Sequence, residues 1–169
     1  MPLEAMEDLL LDQLRSLYQA QRQLVAALPR LIVQTTFPPL RRKLADHLDE
    51  TERQVARLDR VFETLDHNPR GGRCRAVEGI VEDAADTVRR STPGGVMDAA
   101  IIASVQRIEH FEIATYGCAI AWAQLLGLTP ISSVLTESLI EEKNVNDSLT
   151  RIAEEEVNEQ AVHAGVAHR

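Results

Sequence analysis

Apolar residues at helical spacing run through almost the whole chain and restrict it to a helical fold. Side chains three or four positions apart lie on one face of a helix, so each such stripe predicts an amphipathic helix with one buried face. Stripes predict a long helix over about residues 4–34, a second from Pro38, and a short helix near residues 75–90. Two more long helices follow, one ending before Gly127 and one starting at Thr129. No strand-like alternation competes with these stripes, so we predict an all-α chain.

The lengths of the connections indicate how the helices are arranged. Only a few residues join the first long helix to the second, and the third to the fourth, so each pair is expected to form an antiparallel hairpin. About 30 residues separate the second long helix from the third. At ~1.5 Å per helical residue and ~3.3 Å per extended one, this segment can travel the full length of a bundle.

A single long crossover between two hairpins is the ferritin-like connectivity. We therefore predict one ferritin-like four-helix bundle over residues 1–158, with a short fifth helix in the crossover. An up-down bundle decorated by a short helix is the alternative. Beyond Asn158 the helical periodicity is lost, and residues 159–169 are predicted to form a flexible tail.

Polar side chains interrupt the apolar stripes near the midpoint of each long helix. In chain order they are Gln21, Glu50, Gln54, Glu109, Glu112, Glu142 and Asn146. Helices packed as predicted would bring these side chains to one level of the core. Buried carboxylates are costly unless they are paired or bind a metal, and Glu-rich layers inside bundles are how di-iron and di-manganese sites are built. The layer is therefore a candidate metal site.

A second interpretation of these glutamates needs no metal. An inward Glu near the rim of a bundle often pairs with a basic neighbour, as Glu109 could with Arg107 or Lys143. The Glu-x-x-His pair that di-metal bundles carry on two helices is also absent from the second and fourth long helices.

Five segments, in chain order, carry a family resemblance that covers about residues 7–156. They are QLRSLYQAQRQLVAALPRL, HLDETERQVARLDRVFETL, CRAVEGIVED, AIIASVQRIEHFEIATYG and LIEEKNVNDSLTRIAEE. These segments resemble successive blocks of the YciF-like bacterial proteins, which are stress-associated. The resemblance implies a ferritin-like bundle with a short crossover helix, dimerisation, and a carboxylate cluster as a metal site. The positions that match this cluster are Glu50, Gln54, Glu109, Glu112 and Glu142.

Two positions depart from the pattern that the resemblance implies. Relatives resembling this chain carry Glu and Asp where this sequence has Gln21 and Asn146. Each change keeps the shape of the side chain and removes an anionic oxygen, which weakens the attraction for a pair of divalent cations. The same amides and carboxylates would also form a hydrogen-bonded network without metal.

Composition excludes several other functions. The net charge of −8 and the pI near 5.1 argue against nucleic-acid binding, which needs a basic face. The chain has no apolar run long enough for a membrane span and no signal peptide, so we expect no membrane partner. Two cysteines, Cys74 and Cys118, are too few for a disulfide framework, and a cytoplasmic location is the simplest expectation.

Two functions therefore stay open. In the first, a stress-associated bundle protein binds iron or manganese, with a di-metal centre and oxidase or peroxide chemistry as its expected form and no catalytic residue assigned. Its ligands would be Glu50, Glu109, Glu112 and Glu142, with Gln21, Gln54 and Asn146 as weaker partners. In the second, the chain is a metal-free helical homodimer with a structural or protein-interaction role in stress.

Overall fold

The structure is a computed structural model that describes residues 3–166, with side chains described through residue 163. Its helices are α1 (Met6–Gln34), α2 (Pro38–Thr64), α3 (Arg75–Arg90), α4 (Gly95–Leu125), α5 (Thr129–Ile152) and α6 (Asn158–Val166), with a π-helical segment, Ala153–Val157, between the last two. No strand occurs within residues 3–166. The prediction of an all-α chain is therefore confirmed.

Proline and glycine, the residues with the most and the least restricted backbone angles, lie at the helix boundaries. Pro38 and Pro39 open α2, where a missing N–H costs no intrahelical hydrogen bond. Gly94 precedes α4 with a φ of 114°, and Gly127 follows it with a φ of 70°. Both angles lie in the left-handed region, which glycine enters without a steric penalty.

The four long helices pack side by side around a common core. Helix α1 packs on α2, α2 on α5, α5 on α4, and α4 back on α1. Helix α3 lies in the long connection between α2 and α4 and packs against α4 and α1. The two short connections and the one long connection therefore fall where the sequence predicts them.

The core consists of two apolar clusters, one toward each end of the helices. The first cluster joins the second half of α1 to the first half of α2, and includes Leu24, Leu28, Leu40, Leu44, Ile101, Ile108, Val145 and Leu149. The second cluster joins the first half of α1 to the second half of α2, and includes Leu10, Leu14, Leu58, Phe62, Ala119, Ala123, Ile131 and Leu135. These pairings make α1 and α2, and likewise α4 and α5, antiparallel hairpins.

The C-terminal segment differs from the prediction of a tail that starts at residue 159. The π-helical segment continues into α6, which packs against the beginning of α4. The approach is close, because a Cβ placed on Gly95 would lie 2.5 Å from the backbone nitrogen of Ala161. Residues 159–163 are therefore part of the packed helical structure. The last three residues of the predicted tail, 167–169, lie outside the described residues.

The helices are too polar or too short to span a membrane, and the cysteines are unpaired, within the part of the chain that the structure describes. Among residues 3–166, no helix combines the length and the apolar character needed to cross a bilayer. Cys74 is buried and Cys118 is exposed, and both are free thiols.

Candidate metal centre

A layer of polar side chains separates the two apolar clusters at mid-height of the four long helices. Its members, each at most 1% exposed, are Gln21 from α1, His47, Thr51 and Gln54 from α2, Glu109, Glu112 and Tyr116 from α4, and Glu142 from α5. They reach one level because α1 and α4 run antiparallel to their hairpin partners, so the middles of all four helices coincide. We call this set the central layer.

Three side chains of the central layer converge from three different helices. His47, Glu109 and Glu142 each offer one ligand atom, and these atoms all lie within 4.8 Å of one another. The closest pair given is His47 Nε2 and Glu109 Oε1, which are 2.9 Å apart with both side chains fully buried. Although they are close, these two atoms are not aligned as a hydrogen bond.

Many polar atoms of the central layer have no hydrogen-bond partner among the described residues. They are both ring nitrogens of His47, both carboxylate oxygens of Glu109 and of Glu112, Oε2 of Glu142 and Oε1 of Gln21. An unpartnered buried polar atom costs about 1–3 kcal/mol, and a buried charge costs more. Such a concentration of unpartnered atoms could be satisfied by a cation or by protons shared among the carboxyl groups.

Burial changes the protonation of the layer in the absence of a cation. It raises the pKa of Glu109 from 4.5 to about 7, although the adjacent carboxyl group of Glu142 and the charge of Lys43 partly offset this rise. Burial first, and then the neighbouring carboxylates, raise the pKa of Glu112 and of Glu142 well above the ordinary value. Burial lowers the pKa of His47 despite the nearby charges of Glu142 and Glu50. The layer therefore favours neutral acids and a neutral imidazole unless a cation is present.

The side of the layer formed by α1 and α2 is organised by amide groups. Gln21 Nε2 donates to Gln54 Oε1 at 2.7 Å and to the Tyr116 hydroxyl oxygen at 3.2 Å, and it lies 3.4 Å from Glu142 Oε1. Gln54 Nε2 in turn donates to Glu141 Oε2 at 2.9 Å. Glu141 is partly exposed and accepts from Arg57, with Nη2 to Oε1 at 2.8 Å.

The chemistry of the donor set fits a divalent cation. A neutral imidazole and carboxylate oxygens are the ligands that iron, manganese and zinc take in proteins. A cation among His47, Glu109 and Glu142 would use unpartnered atoms and would return the carboxylates to their ionised form. The three residues come from α2, α4 and α5, so the packed bundle brings them together before any ligand binds.

Comparisons with known proteins agree with this arrangement of helices. Residues 5–162 match the family described as Domain of unknown function (DUF892). The chain is also 35% identical to Protein YciF of Escherichia coli (strain K12) over 162 residues, which is 95% of this chain and 98% of that protein. This chain belongs to the YciF-like family. The resemblance drawn from the sequence is thereby confirmed.

Two solved structures show the fold of the YciF-like family at close similarity. The crystal structure of the E. coli stress protein YciF has a TM-score of 0.89 and 34% sequence identity, and the match covers 94% of this chain and 100% of that chain. YcfI of Rhodopseudomonas palustris, for which a structural role has been proposed, has a TM-score of 0.84 and 45% identity over 87% of this chain and 94% of that chain.

Five of the seven predicted site residues lie together in the central layer of this YciF-like chain. They are Gln21, Gln54, Glu109, Glu112 and Glu142, all buried. Glu50 lies at the edge of the layer, where its side chain is 25% exposed and Oε2 is 3.8 Å from Lys43 Nζ. The charge of Glu50 is still near enough to raise the pKa of His47 and of Glu109.

Asn146 lies outside the central layer, which corrects the prediction that it faces the site. Its side chain is half-buried between α4 and α5, and its Oδ1 accepts from Gln106 Nε2 at 3.2 Å. Asn146 follows Glu142 by four residues, so it is rotated by about 40° from it around α5. The buried face of α5 passes instead through Val145 and Leu149.

His47 is the member of the cluster that the predicted site omits. A stripe of apolar residues along α2 through Leu48 and Val55 would leave His47 at its edge, but both of those residues are only partly buried. The buried face actually runs Leu40, Leu44, His47, Thr51, Gln54, Leu58. A regular alternation of three and four residues along this line is the signal that identifies His47. His110, the other histidine near the site in sequence, is exposed.

Proposed function

We propose that this chain is a ferritin-like, stress-associated bundle protein that binds iron or manganese in its central layer. The observation that carries the proposal is the convergence of His47, Glu109 and Glu142, whose ligand atoms lie within 4.8 Å of one another while several of them have no partner among the described residues. Two apolar clusters enclose the layer, so bulk water does not meet the need for these partners.

The protein residues would have distinct roles toward the cation. His47 supplies a neutral nitrogen, and Glu109 and Glu142 supply negative charge from the facing hairpin. Glu112 adds a third buried carboxylate beside them, and Glu50, at the edge, is the acidic group nearest to solvent. Bound iron or manganese supplies one-electron redox chemistry. That chemistry is compatible with the stress association of the relative, the E. coli stress protein YciF.

Elemental analysis of purified protein tests the proposal. Protein expressed with iron and manganese supplements should retain metal through gel filtration, and Glu142→Gln should lose it. Glu154→Gln is the matched control, because Glu154 is an exposed carboxylate next to the end of α5. Wild-type protein that carries no metal and shows no thermal stabilisation by Mn²⁺ or Fe²⁺ would overturn the proposal, since a ligand that binds only the folded state must stabilise it.

The amide network supports a second candidate function, a metal-free dimer with a structural or protein-interaction role. Gln21 and Gln54 bond to each other, as they would in a polar core without metal. The description of the Rhodopseudomonas relative as a proposed structural protein points in the same direction. Under this alternative, Glu142→Gln leaves metal content unchanged at zero and stabilises the fold, because a buried acid becomes a neutral amide.

A further inference from the structure

The chain of contacts from Arg57 to Gln21 fixes which atom Gln21 presents to the central layer. The Arg57 guanidinium can only donate, and it holds the Glu141 carboxylate, which can only accept while ionised. Both oxygens of Glu141 accept hydrogen bonds from Arg57, Oε2 from Nη1 and Oε1 from Nη2. Gln54 must therefore turn its Nε2 toward Glu141 and its Oε1 toward Gln21.

The orientation of the Gln54 amide in turn determines the orientation of the Gln21 amide. Because Gln54 Oε1 accepts, the group of Gln21 that faces it at 2.7 Å must be the Nε2 donor. The remaining N–H of Gln21 is directed at the Tyr116 hydroxyl oxygen and Glu142 Oε1, at 3.2 Å and 3.4 Å. The ion pair between Arg57 and Glu141 thus decides that Gln21 turns its N–H hydrogens toward Gln54, Tyr116 and Glu142, and that one oxygen of Glu142 is already engaged. The Gln21 carbonyl oxygen, at the other end of the amide group, has no partner among the described residues.

We infer that the central layer takes one divalent cation, at His47, Glu109 and Glu142, and that Gln21 excludes a second cation from the side of α1. The inference rests on the proposed function and concerns only the number of ions. A second cation beside Glu142 Oε1 would face the N–H hydrogens of Gln21. An amide N–H repels a cation, and the only layer residue from α1 brings no negative charge to offset another two positive charges.

Charge in the layer leads to the same number. The fully buried carboxylates are Glu109, Glu112 and Glu142, which carry three negative charges when all are ionised. With one divalent cation these three groups keep one net negative charge, whereas with two they carry one net positive charge in the core. Glu50, at the edge, already lies beside Lys43, so the further negative charge would have to come from position 21, where α1 reaches the layer.

Manganese titration with Gln21→Glu tests the inference. Metal-free wild-type protein at equilibrium with excess Mn²⁺ should bind one equivalent, and its electron paramagnetic resonance spectrum should show isolated Mn²⁺ without exchange coupling. Gln21→Glu should bind two equivalents and show an exchange-coupled pair. Gln34→Glu, which adds the same charge at an exposed position of α1, should still bind one.

Each of the other possible results contradicts one specific claim: the number of ions, the role of Gln21, or the binding of metal itself. Two coupled ions in the wild type would overturn the inference and leave the proposed function standing. One ion in both the wild type and Gln21→Glu would overturn the role given to Gln21. No bound ion in the wild type would overturn the proposed function together with the inference. The wild-type stoichiometry and spectrum decide the number of ions even if Gln21→Glu does not fold.

Discussion

His47 Nε2 and Glu109 Oε1 lie 2.9 Å apart between α2 and α4, with both side chains fully buried and no aligned hydrogen bond between them. Burial lowers the pKa of the imidazole and raises that of the carboxyl to about 7, so neither group gains its charge from the other. Two polar atoms that are held this close without an aligned hydrogen bond would be stabilised by a third group that both can contact. Glu142 brings a further oxygen to the same place.

Replacing His47 tests whether it is a ligand, as its position in the cluster suggests. In His47→Gln we expect the affinity for Mn²⁺ to fall by at least about 10–100-fold, the cost of losing even an outer partner of a metal ligand. His110→Gln is the control, because His110 is exposed on α4 and faces away from the layer. Isothermal titration of the metal-free proteins measures both. Equal affinities in the two variants would remove His47 from the site.

The raised pKa of Glu109 makes the stability of the metal-free protein depend on pH. Between its ordinary value of 4.5 and about 7, the folded state holds a proton that the unfolded state releases. The free energy of unfolding should therefore fall as pH rises through this window, by up to about 3 kcal/mol from this group. Glu109→Gln removes this contribution, so its stability relative to wild type should increase from pH 5 to pH 8.

Urea unfolding of both proteins in the presence of a chelator measures the difference, with Glu154→Gln as the exposed control. A relative stability of Glu109→Gln that stays constant over this pH range would contradict the assignment of a buried, proton-binding Glu109. A relative stability that decreases with pH would do so as well.

Gly95→Ala tests the packing of α6 on α4. The added methyl group would meet the backbone of Ala161 at 2.5 Å, so α6 must shift, and we expect a loss of about 1–3 kcal/mol of stability. Gly79→Ala in α3 has open space around the new methyl group and should stabilise the protein by about 0.5–1 kcal/mol through helix propensity. Chemical denaturation distinguishes the two. Similar stabilisation in both variants would mean that α6 does not pack on α4 in solution.

The helices and the level of the polar layer follow from the sequence because both depend on local periodicity. An apolar stripe at a spacing of three to four residues fixes which face of a helix is buried. Short and long connections then fix which helix middles coincide. Glu109, Glu112 and Glu142 could be placed together from this reasoning alone, before any contact between the helices was known.

The residues that sequence reasoning misplaced are those for which a rotation of one position decides the outcome. Moving by one residue turns the side chain by about 100° around a helix. His47 is buried whereas its apolar neighbour Leu48 is only partly buried, and Asn146 lies beside the face that Val145 occupies. The residue types alone do not distinguish two adjacent helix positions, because a leucine can stand either at the edge or at the centre of a buried face.

The sequence pattern did not predict α6, because the apolar stripe changes its phase around the helix before α6 begins. The π-helical segment Ala153–Val157 uses i→i+5 hydrogen bonds, so residues after it no longer continue the α-helical stripe of α5. Val157 is fully buried and Ala161 follows it by one turn. The predicted homodimer depends on surfaces that a single chain does not test, and it stays a prediction.

Anomalous diffraction at the manganese absorption edge, from crystals of this protein grown with Mn²⁺, locates the ion by direct observation. We expect one anomalous peak at bonding distance from His47 Nε2 and from carboxylate oxygens of Glu109 and Glu142, and none beside Gln21. A central layer without a peak, in which these three side chains bond to one another or to water, would contradict the metal centre.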